Sequence, residues 1–348
     1  MTADIAAGLL AGGVGLGVGV LLGLCARLGD FCTLGALETA LIEGDFRRIH
    51  IWSLALGVAV LSVALADAWD LIDIGRSLYH SIAWNPVASI AGGLVFGYGM
   101  AMAGNCGFGA LVRAGDGDIR SILIVVVLGI ATYATLAGPL APVRAFVFPQ
   151  TEQSGRAGIG EALSALTGLD PAWLAAALGL GLVAAGIRHP RVRQSPLTVI
   201  CAAGVGLSVV LALIGTFRIA ETSMDAVPVE GPSFTAPVGR TILYLMTATG
   251  TQPSFSVGLV FGTLAGAIMG SLWRRSFRWE ACDDPRELGR QLGGAILMGV
   301  GGVIAMGCTI GQGLTATALL AWSGPVTLLA IAAGAWVGLQ RLLLSEDL

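Results

Sequence analysis

"GLVFGYGMAMAGNCGFGALVR" occupies residues 93–113, and "GGAILMGVGGVIAMGCTIGQGL" occupies residues 293–314. Each is an apolar run that ends on a cysteine, with glycine three residues further on. Gly97, Gly99, Ala103, Cys106 and Gly109 recur, at a constant offset of 202, as Gly299, Gly301, Ala305, Cys308 and Gly311. A third such cysteine, Cys32, lies in "GDFCTLGAL" at 29–37. After each cysteine the chain is apolar but too short or too broken by glycine to cross a bilayer, which is the pattern of a half-helix.

The rest of the chain fits a membrane setting. Hydrophobic residues make up 55% and charged residues 12% of 348, against about 45–50% and about 25% in soluble domains. The 52 glycines sit among apolar neighbours without a three-residue period, as in membrane helices that approach closely through small residues. Nine runs are long enough to span, at 5–24, 51–67, 86–103, 120–138, 172–187, 197–215, 254–272, 290–307 and 324–344. Four shorter stretches, 25–43, 106–113, 236–250 and 308–321, are candidates for re-entrant helices. The expected fold is therefore an all-α polytopic membrane protein with about nine transmembrane helices and about four short or re-entrant ones.

Other classes are disfavoured. All 19 basic residues are arginine, but no basic stripe interleaved with aromatics exists, so nucleic acid is a poor partner. The opening "MTADIAAGLL" lacks the positive region of a cleaved signal peptide, so the first run is expected to stay as a membrane helix. The six cysteines contain no C-x-x-C pair, and the three histidines show no metal-ligand spacing, so neither a metal nor a cofactor is expected. No Walker-type phosphate loop is present.

Arginine placement predicts the orientation. "DFRRIH" at 45–50, "RAGDGDIR" at 113–120, "RHPRVR" at 188–193 and "RRSFRWE" at 274–280 fall on one side of a nine-span chain, and cytoplasmic loops carry the excess of basic residues. The opposite loops hold "DAWDLID" at 67–73 and the stretch with Glu221, Asp225 and Glu230. The N-terminus is then periplasmic and the C-terminus cytoplasmic. A second repeat signal, "GVGL" at 13–16 and 204–207, suggests two halves, 1–138 and 197–348, within one transport domain covering 1–348. A connector at 139–196 with one helix would turn the second half upside down, the inverted-repeat plan of many transporters.

In that plan the segments after Cys106 and Cys308 approach each other near the midplane. A half-helix N-terminus offers free N–H donors and partial positive charge, so it suits an anion. A neutral thiol is a soft, weak donor. It can offer its proton to a soft acceptor such as the terminal sulfur of thiosulfate without a deep binding well, as permeation requires. A thiolate would repel a dianion, so the thiols are expected to stay protonated. Cys32, Cys106 and Cys308 are thus the expected substrate pathway. Cys25, Asn105, Gly107, Gly109, Thr309, Gly311 and Gln312 are expected in support, with Asn105 also a plausible helix cap. Cys201 and the methionines Met100, Met102 and Met306 read as packing, and Cys282 as a loop thiol. Asp30 and Glu38 lie beside the first short segment, where an interface position competes with a functional one. Arg27 and Arg113 either attract anions at a mouth or snorkel to the surface.

These stretches, together with "LLGLCARLGDFCTLGAL" at 21–37, resemble the YeeE/YedE family of bacterial inner-membrane sulfur-compound transporters over nearly the whole chain. The resemblance implies an hourglass of membrane helices with short helices meeting at its waist. It implies thiosulfate uptake, with the anion handed along three cysteines by S–H···S contacts; carried over, these are Cys32, Cys106 and Cys308. It also implies a small cytoplasmic TusA-like sulfur carrier as a possible partner. The second half has no cysteine matching Cys32, because the "GVGL" offset puts Ser223 there. Members linked to selenium look alike at this level, so another sulfur or selenium compound is the alternative substrate. A soft-metal permease and a membrane thiol oxidoreductase are more distant readings.

Overall fold

The computed structural model describes residues 2–153, 155–156, 158–223, 227–280 and 284–346, and the chain is 77% helical. Cys282 and Asp225 lie outside the described residues. Each of the nine expected runs forms a long helix: α1 (Thr2–Gly29), α2 (Arg47–Ala68), α3 (Pro86–Ala103), α4 (Ile119–Leu136), α5 (Pro171–Arg188), α6 (Pro196–Thr222), α7 (Phe255–Arg274), α8 (Pro285–Ile304) and α9 (Ser323–Glu346). Among the described residues, eight spans are long and apolar enough to cross a membrane. The ninth helix, α8, carries Arg286, Glu287 and Arg290 in its first turns, and Asp284 caps it by accepting from the Arg286 N–H. Among the described residues no strand forms.

Some boundaries differ from expectation, with local causes. α1 runs on through Cys25 to Gly29 and stops at Asp30, whose φ of 52° leaves the helical region. The first short segment therefore begins only at Thr33, as a helix Thr33–Glu38 continued by a wider turn at Thr39–Glu43. The other short segments are helices Gly107–Ala114 and Thr235–Thr247, and a wide turn at Gly311–Ala316. The connector holds three helices besides α5, at Ala141–Val147, Ile159–Thr167 and Pro190–Arg193. These are too short for an apolar run to announce them.

Glycine sets the closest packing. Along α1, a Cβ on Gly15, Gly19 or Gly23 would strike the α7 backbone at Phe255, Leu259 or Thr263. Along α7, a Cβ on Gly258, Gly262 or Gly266 would strike the α1 backbone at Gly12, Leu16 or Val20. With lipid on the outside there is little hydrophobic drive between helices, so close backbone contact supplies much of the cohesion. Further packing joins α6 to α2 and to α1, α3 to α9 and to α8, and α8 to α4. The Gly107–Ala114 helix packs on α4 and α7, while the Gly311–Ala316 turn packs on α9 and α2. α5 lies at the edge, packed on α2, with 17% of its apolar window buried.

Candidate functional site

The three Cys-x-x-Gly stretches share one local geometry. The Gly35 N–H donates to Cys32 Sγ at 3.4 Å, the Gly109 N–H to Cys106 Sγ at 3.3 Å, and the Gly311 N–H to Cys308 Sγ at 3.5 Å. Cys32 and Cys106 are the N-cap residues of their short helices, a place usually taken by Ser, Thr, Asp or Asn. A thiol caps through a sulfur lone pair, which leaves its S–H proton for another acceptor. Asn105 is not the cap: its Oδ1 accepts from the Cys32 thiol at 3.8 Å.

The glycine at the third position has a reason of its own. A Cβ on Gly109 would collide with Asn105 Oδ1. One on Gly35 would collide with Arg48 Nη1, and one on Gly311 would lie 2.7 Å from Ser233 Oγ and 3.0 Å from the Tyr79 hydroxyl. Each glycine makes room for a polar side chain beside the sulfur.

The sulfurs lie at different depths. Cys106 and Cys308 are each 1% exposed, whereas Cys32 is half-buried. Cys106 sits near both other cysteines and beside the buried hydroxyl of Thr309. Cys308 Sγ accepts from the Phe234 N–H at 3.3 Å and lies 4.0 Å from Ser233 Oγ. At the acidic-loop end, a cavity of about 240 Å³ is lined by Ser233, Tyr79, Gly307, Glu230 and Arg240 among others. There Arg240 pairs with Glu230 at 3.0 Å. At the arginine-rich end, a cleft of about 210 Å³ is lined by Cys32, Asn105, Gly109, Arg27, Arg48 and Arg113 among others. Phe108 and Phe234, both buried, meet at 4.7 Å between ring centroids.

Other expected residues fall as follows. Gln312 is fully buried; its Nε2 donates to the Ala305 carbonyl at 2.6 Å, and its Oε1 has no partner. Gly107 packs on Leu128. Cys25 lies against Gly204 of α6 and Cys201 against Gly29 of α1, so these two thiols face each other across the two helices. Met100 is buried, and Met306 lines the acidic-end cavity. Arg27 pairs with Asp116 at 2.6 Å, and Arg274 pairs with Asp30 at 2.9 Å.

Arg48, Tyr79, Ser233 and Phe234 were not among the expected site residues. One signal could have found the last: the offset of 202 that relates Cys106 to Cys308 carries Cys32 to Phe234. Phe234 is the N-cap residue of the Thr235–Thr247 helix, as Cys32 is of its own. Ser223, reached through the "GVGL" offset, is instead the C-cap of α6.

The chain is 27% identical over 338 residues to the thiosulfate transporter TsuA of Escherichia coli (strain K12), covering 92% of each. It is 28% identical over 332 residues to the thiosulfate transporter TsuA of Spirochaeta thermophila, covering 92% of this chain and 96% of that one. A family model described as sulphur transport matches residues 28–337, a stretch that contains all three Cys-x-x-Gly sites, and the chain belongs to that sulphur-transport family.

Proposed function

We propose that the chain carries thiosulfate into the cell across the bacterial inner membrane, from Cys308 past Cys106 to Cys32. The observation that carries this reading is the alignment of three capped thiols between two clefts, with Cys106 buried between a cysteine near one cavity and a cysteine in the other cleft. Each sulfur has its lone pair engaged by a glycine N–H, and the Cys32 proton has a weak acceptor of its own in Asn105 Oδ1 at 3.8 Å. Such weak, successive S–H···S contacts hold a soft anion without trapping it. Thiosulfate passes through unchanged, so no catalytic group is required.

The arginine-rich end is the cytoplasmic one in this reading, which puts the N-terminus in the periplasm and the C-terminus inside. A TusA-like sulfur carrier would take the substrate at that mouth. The two halves, 1–138 and 197–348, are inverted copies around the connector 139–196. Support comes from paired packing: α1 with α7 answers α6 with α2, and α3 with α9 answers α8 with α4. The test is rescue of a thiosulfate-dependent, uptake-deficient bacterium. Wild type restores growth, Cys106→Ala and Cys308→Ala do not, and Cys32→Ala restores it only weakly. Failure of wild type that reaches the membrane sinks the thiosulfate assignment, and rescue by all three variants sinks the thiol pathway.

A further inference from the structure

We infer that the arginine-rich cleft is a binding station for a sulfur oxyanion, in which Arg48 and the Asn105 amide hold the oxygens while the Cys32 thiol meets a soft terminal sulfur. This deepens the transport reading above and rests on it for the identity of the anion.

Two independent observations point to a ligand. Asn105 is 2% exposed, its Oδ1 is engaged by Cys32, and its Nδ2 lies buried with no partner. A buried donor left without an acceptor is costly, and an anion in the cleft supplies that acceptor. Arg48, half-buried in the first turn of α2, reaches over Gly35 into the same cleft. The acids near it are already committed, Asp30 to Arg274 and Asp116 to Arg27, and Glu38 is exposed. Among the described residues no carboxylate pairs with Arg48.

The geometry gives each group its part. The place of a Cβ on Gly35 touches Arg48 Nη1 and lies 3.6 Å from Cys32 Sγ. Guanidinium and thiol therefore share one small space, which the glycine keeps clear. A planar guanidinium matches two oxygens of a tetrahedral oxyanion, and the amide N–H reaches a third. The remaining vertex falls to the thiol, whose proton turns from its long 3.8 Å contact with Asn105 Oδ1 to the soft sulfur, a partner that suits it better than a strongly hydrated oxygen. The station thus selects an oxyanion with one soft vertex over sulfate.

The test uses the full chain in detergent and follows alkylation of Cys32 by N-ethylmaleimide through peptide mass spectrometry. Thiosulfate is titrated, and protection is the slowing beyond that of a free thiol in the same solution. Wild type is expected to show protection. Arg48→Gln raises the half-protecting concentration about tenfold, the loss of a charge-assisted contact, Arg48→Lys raises it less, and sulfate protects more weakly than thiosulfate. No protection in wild type, or equal half-protecting concentrations in wild type and Arg48→Gln, overturns the station. Uptake of radiolabelled thiosulfate is measured alongside: protection with the Arg48 shift but without uptake leaves the station standing and removes the transport reading.

Discussion

The helix that opens at Cys32 and the helix that opens at Phe234 lie 202 residues apart in the chain and carry opposite chemistry. At Cys32 the capping side chain is a half-buried thiol that donates to Asn105 and shares its space with Arg48. At Phe234 the side chain is a fully buried ring packed at a tilt against Phe108, and the backbone N–H donates to Cys308. Polar groups near Cys308 are neutral, the hydroxyls of Ser233 and Tyr79, where Cys32 has a cation. In the proposed two-half plan the scaffold repeats, and the groups beside the sulfurs differ. A path with different ends has a built-in direction of tightening, which a symmetric pair of sites would lack.

That contrast sets the expected order of effects. Cys106→Ala and Cys308→Ala cut the initial rate of radiolabelled thiosulfate uptake most, by about tenfold or more, since one lost hydrogen bond of about 1.4 kcal/mol is a factor of ten. Cys32→Ala cuts it less, by a few-fold, because Arg48 and Asn105 remain to hold the anion. Equal losses at Cys32 and Cys308 would show that the two ends work alike. Gly109→Ala lowers uptake more than Gly35→Ala: the methyl at 109 meets the buried Asn105, whereas at 35 it meets the end of a flexible arginine that can swing aside. The reverse order would mean that Arg48 is fixed as firmly as Asn105. Cys25→Ala and Cys201→Ala change uptake least, within about twofold, because each replaces a thiol that addresses the other. A loss at Cys25 comparable to that at Cys32 would place it on the path.

The long helices were readable because apolar length alone identifies a span in lipid, and the Cys-x-x-Gly spacing identified the sulfurs because capping is a local, three-residue relation. What escaped was the side chain that fills the space above each glycine. Arg48 stood in "DFRRIH" as a topology signal, and nothing within that stretch says that it folds back over Gly35. Tyr79 and Ser233 reach Gly311 from more than 70 residues away along the chain, a tertiary relation with no periodicity to betray it. Phe234 was missed because the shorter "GVGL" offset was followed through a half in which α6 runs to Thr222, past the expected end at 215. Short amphipathic helices such as Ala141–Val147 lack the apolar length on which the reading depended.

The Cys25–Cys201 contact bears on how thiol chemistry of the whole protein is read. Five free cysteines are described, and only Cys32 is more than marginally accessible. Among these five, a membrane-permeant oxidant meets two populations: three sulfurs that each accept from a glycine N–H near the clefts, and two that lie side by side between α1 and α6. Inactivation by such a reagent therefore does not by itself identify its target. Counting modified sites per molecule as activity declines separates a blocked route from a disturbed scaffold, because among the five described thiols the first modification falls on Cys32 and the later ones require the helices to part.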